Sequence, residues 1–152
     1  VGFPTRVDTK IISNVIKKDF IPIVMPMGLD EKGQAYNINA DTAAGALSKS
    51  LKSRRLLLMT DVEGVYDKNK KPISEIKPSD AEKLIHDGTI QEGMIPKIRT
   101  CISAVENGVK GVVIIDGRKP HSILFELFSD KGAGTLIRKW KHFTWSNFGY
   151  LT

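Results

Sequence analysis

At 152 residues the chain has the length of one domain, enough to bury a real core. Hydrophobic residues at 41% and charged residues at 26% are ordinary for a globular protein, and the longest apolar runs, 20–27 and 112–115, are too short to cross a bilayer. The net charge of +6 suits anionic partners, but its short clusters (Lys17–Lys18, Lys68–Lys71, Arg138–Lys141) make no basic face at helical spacing, which predicts a solvated surface, neither nucleic acid nor membrane being a partner.

The chain opens at Val1 without an initiator methionine and enters a helical pattern almost at once, so a fragment of something longer is expected. Asp8 or Thr9 can cap a helix whose apolar positions Ile11, Ile12, Val15 and Ile16 follow 3.6-residue spacing. Phe20 to Met27 is a continuous apolar run that predicts a strand covered on both faces, with Pro22 and Pro26 restricting its ladder. Asp30-Glu-Lys-Gly33 reads as a hairpin turn. Asn39 or Asp41 then opens a helix to about Leu51, in which Ala43, Ala44, Gly45 and Ala46 permit close packing on a sheet.

Arg55 to Met59 reads as a second buried strand that ends at Thr60-Asp61 in a long polar loop. Ser79-Asp-Ala-Glu82 has the form of a capping box, predicting a helix over 80–86 that stops at Gly88. Another helix is expected from near Gly93 to Asn107, ending at Gly108. Gly111–Ile115 follows as a third strand, Pro120–Phe128 as a helix with proline in its first turn, and Thr135–Ile137 as a last short strand. Strands alternating with helices predict an α/β fold, an open and mostly parallel sheet with helices on both faces. From Trp140 to Tyr150 the chain is aromatic and aperiodic, and 139–152 is read as a tail of unknown role outside a functional unit spanning 1–138.

Absent motifs narrow the chemistry. The sequence has no G-x-x-x-x-G-K-[ST] phosphate loop, no G-x-G-x-x-G and no G-x-S-x-G elbow. His86, His121 and His142 do not fall at metal-ligand spacing with Cys101 or with one another. Cys101, the single cysteine, lies amid Ile98, Ile102 and Val105 and reads as core; with no secretory leader in view, it points to a reducing, cytoplasmic setting. Gly132-Ala-Gly134-Thr135 precedes a strand instead of a helix, so it reads as a turn and not a phosphate cradle.

Three loops carry candidate chemistry. Tyr36 to Ala44 surrounds a helix start with Asn37, Asn39 and Asp41, where free N–H groups suit an anion; plain capping explains the same residues equally well. Thr60 to Asp67 follows a buried strand, the place where open α/β sheets bind ligands; Gly64 allows close approach and Tyr66 offers a face for a base, while a bare surface loop is the alternative. Thr89 to Lys97 puts a lysine in the first turn of a helix, where a cation opposes the dipole, which favours a lysine facing phosphate oxygens over a merely solvated one.

Asn37-Ile-Asn-Ala-Asp-Thr-Ala-Ala-Gly-Ala46, Thr60-Asp-Val-Glu-Gly-Val65, Gly93-Met-Ile-Pro-Lys97 and Asp116-Gly-Arg-Lys-Pro-His121 occur in this order. Together they resemble the acetylglutamate kinases of the amino-acid-kinase superfamily, over about 1–138 and around the second half of a typical member. The threonine-aspartate-valine loop is common across the superfamily. The asparagine-rich helix start combined with the Gly93–Lys97 turn is far more specific.

The resemblance implies ATP-dependent phosphorylation of the γ-carboxylate of N-acetyl-L-glutamate, a step of arginine biosynthesis, by direct in-line transfer. It implies that Asn37 binds the substrate's α-carboxylate end, that Asp41 holds catalytic lysines, and that Lys97 meets the transferring phosphoryl group. Asp61, Val62, Glu63, Gly64, Val65 and Tyr66, with Thr89, Ile90 and Gln91, would line the ATP pocket, Mg²⁺ riding on the phosphates and no protein metal site being needed. The family's second lysine, its glycine loops and its substrate arginine have no match here, so the chain alone is expected to be incomplete. Glu126 to Thr135 resembles arginine-inhibited members, which would put Glu126 and Gly132 beside an arginine effector; Glu126 as a solvated helix residue is the alternative. Full-length members imply a homo-oligomer. Another kinase of the superfamily, or a non-catalytic nucleotide-binding or effector-sensing module, are the competing readings.

Overall fold

The computed structural model of the chain describes residues 1–139. In chain order the elements are α1 (Lys10–Ile16), β1 (Met27–Leu29), β2 (Ala35–Asn37), α2 (Ala40–Ser50), β3 (Leu56–Thr60), β4 (Val65–Tyr66), β5 (Pro72–Ile73), β6 (Glu75–Ile76), α3 (Pro78–His86), α4 (Ile95–Glu106), β7 (Val112–Asp116), α5 (Ser122–Phe128) and β8 (Gly134–Ile137). The aromatic stretch read as a tail lies, from Trp140 onward, outside the described residues.

A four-stranded sheet ordered β3-β7-β8-β6 forms the centre. β3 pairs parallel with β7 and β6 parallel with β8, while β7 and β8 run antiparallel. Val112 to Asp116 is buried at every position, as a strand covered on both faces must be. Val112 and Ile114 meet Ile98, Cys101, Ala104 and Val105 of α4 in the main core. Val113 and Ile115, also fully buried, alternate to the opposite face, where α5 packs. Gly134 lets β8 approach β7, since a Cβ there would collide with the Ile114 carbonyl. The expected α/β architecture, with a mostly parallel sheet and helices around it, is the one found.

α2 packs on α4 as well as on β3. The close approach is made at Gly45, where a Cβ would stand 2.7 Å from the Thr100 methyl.

Several local expectations are corrected. The run at 20–26 is no buried strand: Phe20, Ile21, Ile23 and Met25 are exposed, and pairing starts only at Met27. No described strand lies beside it, and Pro22 and Pro26 have no N–H to offer one. The box at Ser79 to Glu82 does not form. Pro78 takes the first helical position, where its missing N–H costs nothing and its φ is preset, so α3 begins two residues earlier from Lys77. α5 starts at Ser122, after His121 in a left-handed conformation (φ 60°), leaving Pro120 outside the helix. The loop after β3 contains a short hairpin, β4–β5.

Candidate functional site

α2 and α4 bring their first turns together. Asn39 caps α2, its side-chain oxygen accepting from the Thr42 N–H at 3.1 Å, which sets Asp41 in the first turn where a carboxylate complements the dipole. Lys97 stands in the first turn of α4, and its Nζ meets Asp41 Oδ2 at 2.5 Å. Both side chains are largely withdrawn from solvent, at 15% and 29% exposure, so the aspartate compensates a cation that the helix dipole disfavours.

Lys97 is also on the wall of a cavity of about 920 Å³. Two other walls come from the Thr60–Lys70 loop and from Asp87 to Met94. The first leaves the carboxyl end of β3. The second follows α3, which ends at Gly88 (φ 76°) and turns on Asp87, whose carboxylate accepts from the Thr89 N–H at 3.1 Å and from the Thr89 hydroxyl. These hydrogen bonds hold the Asp87 carboxyl below its usual range. Lys68 reaches the same carboxylate at 3.1 Å and links the two walls.

The β4–β5 hairpin is pinned from behind by Thr135. Its buried hydroxyl donates to the Ile73 carbonyl at 2.6 Å and accepts from the Val65 N–H at 2.8 Å. Gly64 lines the cavity, yet Thr135 is what demands glycine: at φ 152°, a Cβ would stand 2.5 Å from the threonine hydroxyl.

Asp61, Val62, Gly64, Val65, Tyr66, Thr89, Ile90, Gln91 and Lys97 all border the cavity. Glu63 does not; it turns to Lys119 and Tyr66. Asp41 lies just off the lining and reaches the cavity through Lys97. Asn37 ends β2, exposed, two residues before the α2 cap. Glu126 and Gly132 belong to a separate place: Glu126 is buried, accepting from Arg55 Nη1 at 2.7 Å and from the Ala133 N–H at 2.9 Å. The solvated alternative for Glu126 therefore does not hold. A Cβ on Gly132 would stand 2.9 Å from its carboxylate.

Sequence reasoning missed Thr135, Lys68 and Asp87. Thr135 follows the Gly132–Gly134 turn and carries no pattern of its own; Asp87, before Gly88 at a helix end, was readable as a turn former. Cys101 is fully buried, and burial pushes its thiol up to about 12, the behaviour of a core residue and not of a nucleophile. Among the described residues no three His, Cys, Asp or Glu side chains gather as metal ligands, and no helix is long and apolar enough to cross a membrane.

The amino acid kinase family model matches residues 1–116. An acetylglutamate kinase from Bradyrhizobium sp. (strain ORS 278) is 55% identical over 139 residues, 91% of this chain and 47% of that protein. The chain thus spans about half the length of the curated relatives it matches. Among solved structures, N-acetylglutamate synthase from Neisseria gonorrhoeae, complexed with coenzyme A and L-arginine, superposes with a TM-score of 0.83 at 25% identity, covering 89% of this chain and 31% of that one. Carbamate kinase from Giardia lamblia bound to AMP-PNP gives 0.65 at 27% identity, covering 86% and 44%.

Proposed function

This chain belongs to the amino acid kinase family, and we propose that residues 1–138 are the nucleotide-binding lobe of an acetylglutamate kinase. The reaction is transfer of the ATP γ-phosphoryl group to the γ-carboxylate of N-acetyl-L-glutamate. A carboxylate oxygen bonds to phosphorus as the bond to the β–γ bridging oxygen breaks, and ADP leaves with that electron pair; the product is an acyl phosphate.

The carrying observation is the Lys97–Asp41 pair at the wall of the 920 Å³ cavity. Phosphoryl transfer asks a protein mainly for positioning and charge stabilisation. An ammonium oriented by Asp41 meets that need where charge moves onto the leaving oxygen. The Asp61–Tyr66 and Thr89–Gln91 walls hold the nucleotide, in keeping with the AMP-PNP of the similar carbamate kinase. Asn37 takes the α-carboxylate end of acetylglutamate. Mg²⁺, carried on the ATP phosphates, supplies further charge neutralisation when bound. The full-length enzyme is a cytoplasmic homo-oligomer of arginine biosynthesis. This chain by itself binds Mg-ATP weakly without turnover, consistent with its spanning about half of its relatives.

Arginine is proposed as an effector at Glu126 and Gly132. The support is chemical: Glu126 already holds one guanidinium, that of Arg55, and the similar acetylglutamate synthase was crystallised with L-arginine. Arginine acts only through unequal affinity for two states, so Arg55 must yield or share Glu126 in one of them.

The test of the catalytic reading is kinetic. In the full-length frame, Lys97→Met lowers kcat by about 10²–10³ while ATP affinity changes little, the scale for loss of one transition-state contact. Asn37→Ala acts mainly on the KM for acetylglutamate. A Lys97→Met enzyme with normal kcat, or the same pure KM effect in both variants, overturns the assignment.

A further inference from the structure

The segment Asp116-Gly-Arg-Lys119 stands outside the cavity lining, yet it is built against the cavity's first wall. Thr60 and Asp116 are register partners at the carboxyl ends of adjacent parallel strands, so the loops they launch run side by side. The Gly117 N–H donates to the Thr60 carbonyl at 2.8 Å, fixing the root of the 60–67 loop. Buried Asp116 accepts from the Arg118 backbone N–H at 2.9 Å and from the Arg118 guanidinium Nε and Nη2 at 3.0 Å each, which shapes the turn that carries Lys119. Lys119 Nζ then meets Glu63 Oε1 at 2.7 Å, and the other oxygen of Glu63 accepts from the Tyr66 hydroxyl at 3.2 Å. Tyr66 is on the cavity wall; Lys119 and Glu63 are not.

We propose that Lys119 is a positioning residue for the nucleotide: from behind the wall it holds Glu63, and through Glu63 it fixes the Tyr66 ring at the cavity. The inference rests on the nucleotide reading of that cavity. An exposed ion pair contributes little to folding, and Glu63 and Lys119 are each about half exposed, at 49% and 52%. The pair's role is therefore geometric and local. It also matters for charge. Asp61 and Glu63 lie on a loop that is to face an anionic ligand, and the Lys119 ammonium cancels one of them. Each partner favours the other's charged form: the Glu63 carboxyl is lowered first by its hydrogen bond from Lys119, and the Lys119 ammonium is raised first by Glu63.

The experiment is a double-mutant cycle on the 152-residue chain, read by calorimetric Mg-ATP affinity and by the NMR resonances of the Tyr66 ring. Lys119→Met is expected to raise the Kd for Mg-ATP by about 3-fold to 10-fold at low salt, less at high salt, where exposed pairs are screened. Lys119→Arg restores most of the affinity. In a Glu63→Gln background Lys119→Met has little further effect, because Lys119 acts through Glu63. The Tyr66 resonances shift in Lys119→Met and return in Lys119→Arg, with no nucleotide present. An equal loss of affinity from Lys119→Met in both backgrounds, or Tyr66 resonances indifferent to Lys119, overturns the proposal. If the unmodified chain fails to bind Mg-ATP while the Tyr66 shifts appear, the nucleotide reading fails and the Lys119–Glu63–Tyr66 coupling stands without it.

Discussion

Two hairpins of this molecule share one turn and meet opposite fates. In β1–β2 the Asp30 carboxylate accepts from the Lys32 and Gln34 N–H groups at 2.9 Å each, with Gly33 left-handed at φ 82°. In β4–β5 the Asp67 carboxylate accepts from the Asn69 and Lys71 N–H groups at 2.8 Å each, with Lys70 left-handed at φ 58°. The second hairpin is fastened to the central sheet by Thr135 and presents Tyr66 to the cavity. The first follows an exposed apolar run and keeps Met27 and Leu29 open to solvent. Local turn chemistry makes a hairpin. What stands behind it decides whether the hairpin becomes a wall.

The sharpest way to break this comparison is through burial. Ile114→Ala, in the fully buried β7, is expected to cost about 2–5 kcal/mol in urea unfolding, the range for large core truncations. Ile23→Ala, at 95% exposure, is expected to change the stability of this chain by less than about 0.5 kcal/mol. Similar costs at both positions would mean that 20–26 is covered after all.

That contrast also marks how far the sequence could be read. Val112–Ile115 and Phe20–Met27 look alike as strings, since an apolar run says that a segment is to be covered but not by what. β7 has β3, β8, α4 and α5 within the chain; residues 20–26 belong to no strand pair among the described residues, the Pro26 carbonyl accepting the Ile38 N–H at 2.8 Å. The cavity loops were legible because strand ends, Gly88 and a lysine in a helix's first turn are local signals. Thr135 was not, because its partners Val65 and Ile73 are 70 and 62 residues away. Glu126 was half legible: its place on a helix could be read, its burial against Arg55 could not.

A second, smaller effect tests the fastening itself. Thr135→Val keeps shape but removes the two hydrogen bonds to the Val65 N–H and the Ile73 carbonyl, each worth about 0.5–1.5 kcal/mol. Mg-ATP affinity should fall with it, while circular dichroism reports the central sheet intact. Unchanged affinity would detach the hairpin from the site.

The two turns permit a matched pair. Asp30→Ala and Asp67→Ala should each cost about 0.5–2 kcal/mol, by analogy with other aspartates that accept backbone N–H groups. Only Asp67→Ala should weaken Mg-ATP binding. Equal effects on binding would remove the functional distinction between the hairpins.

The smallest effect is pH-dependent. Hydrogen bonds from the Arg118 guanidinium and backbone hold the Asp116 carboxyl at about 2, against 3.8 in an unstructured chain. A depressed carboxyl stabilises the fold fully above its unfolded value and loses that contribution as pH falls from about 4 towards 2. Urea midpoints for the unmodified chain and for Asp116→Asn should therefore converge over that window. A gap independent of pH would show that Asp116 acts by shape and not by charge.

The most direct test of the account is amide hydrogen exchange of the 152-residue chain with and without Mg-ATP. The nucleotide is expected to slow exchange at 60–67 and 87–97 and to leave 20–37 unchanged, because the proposed function puts the nucleotide against the fastened hairpin and the turn before α4. Protection centred on 20–37, or none at 60–67 at saturating nucleotide, would contradict it.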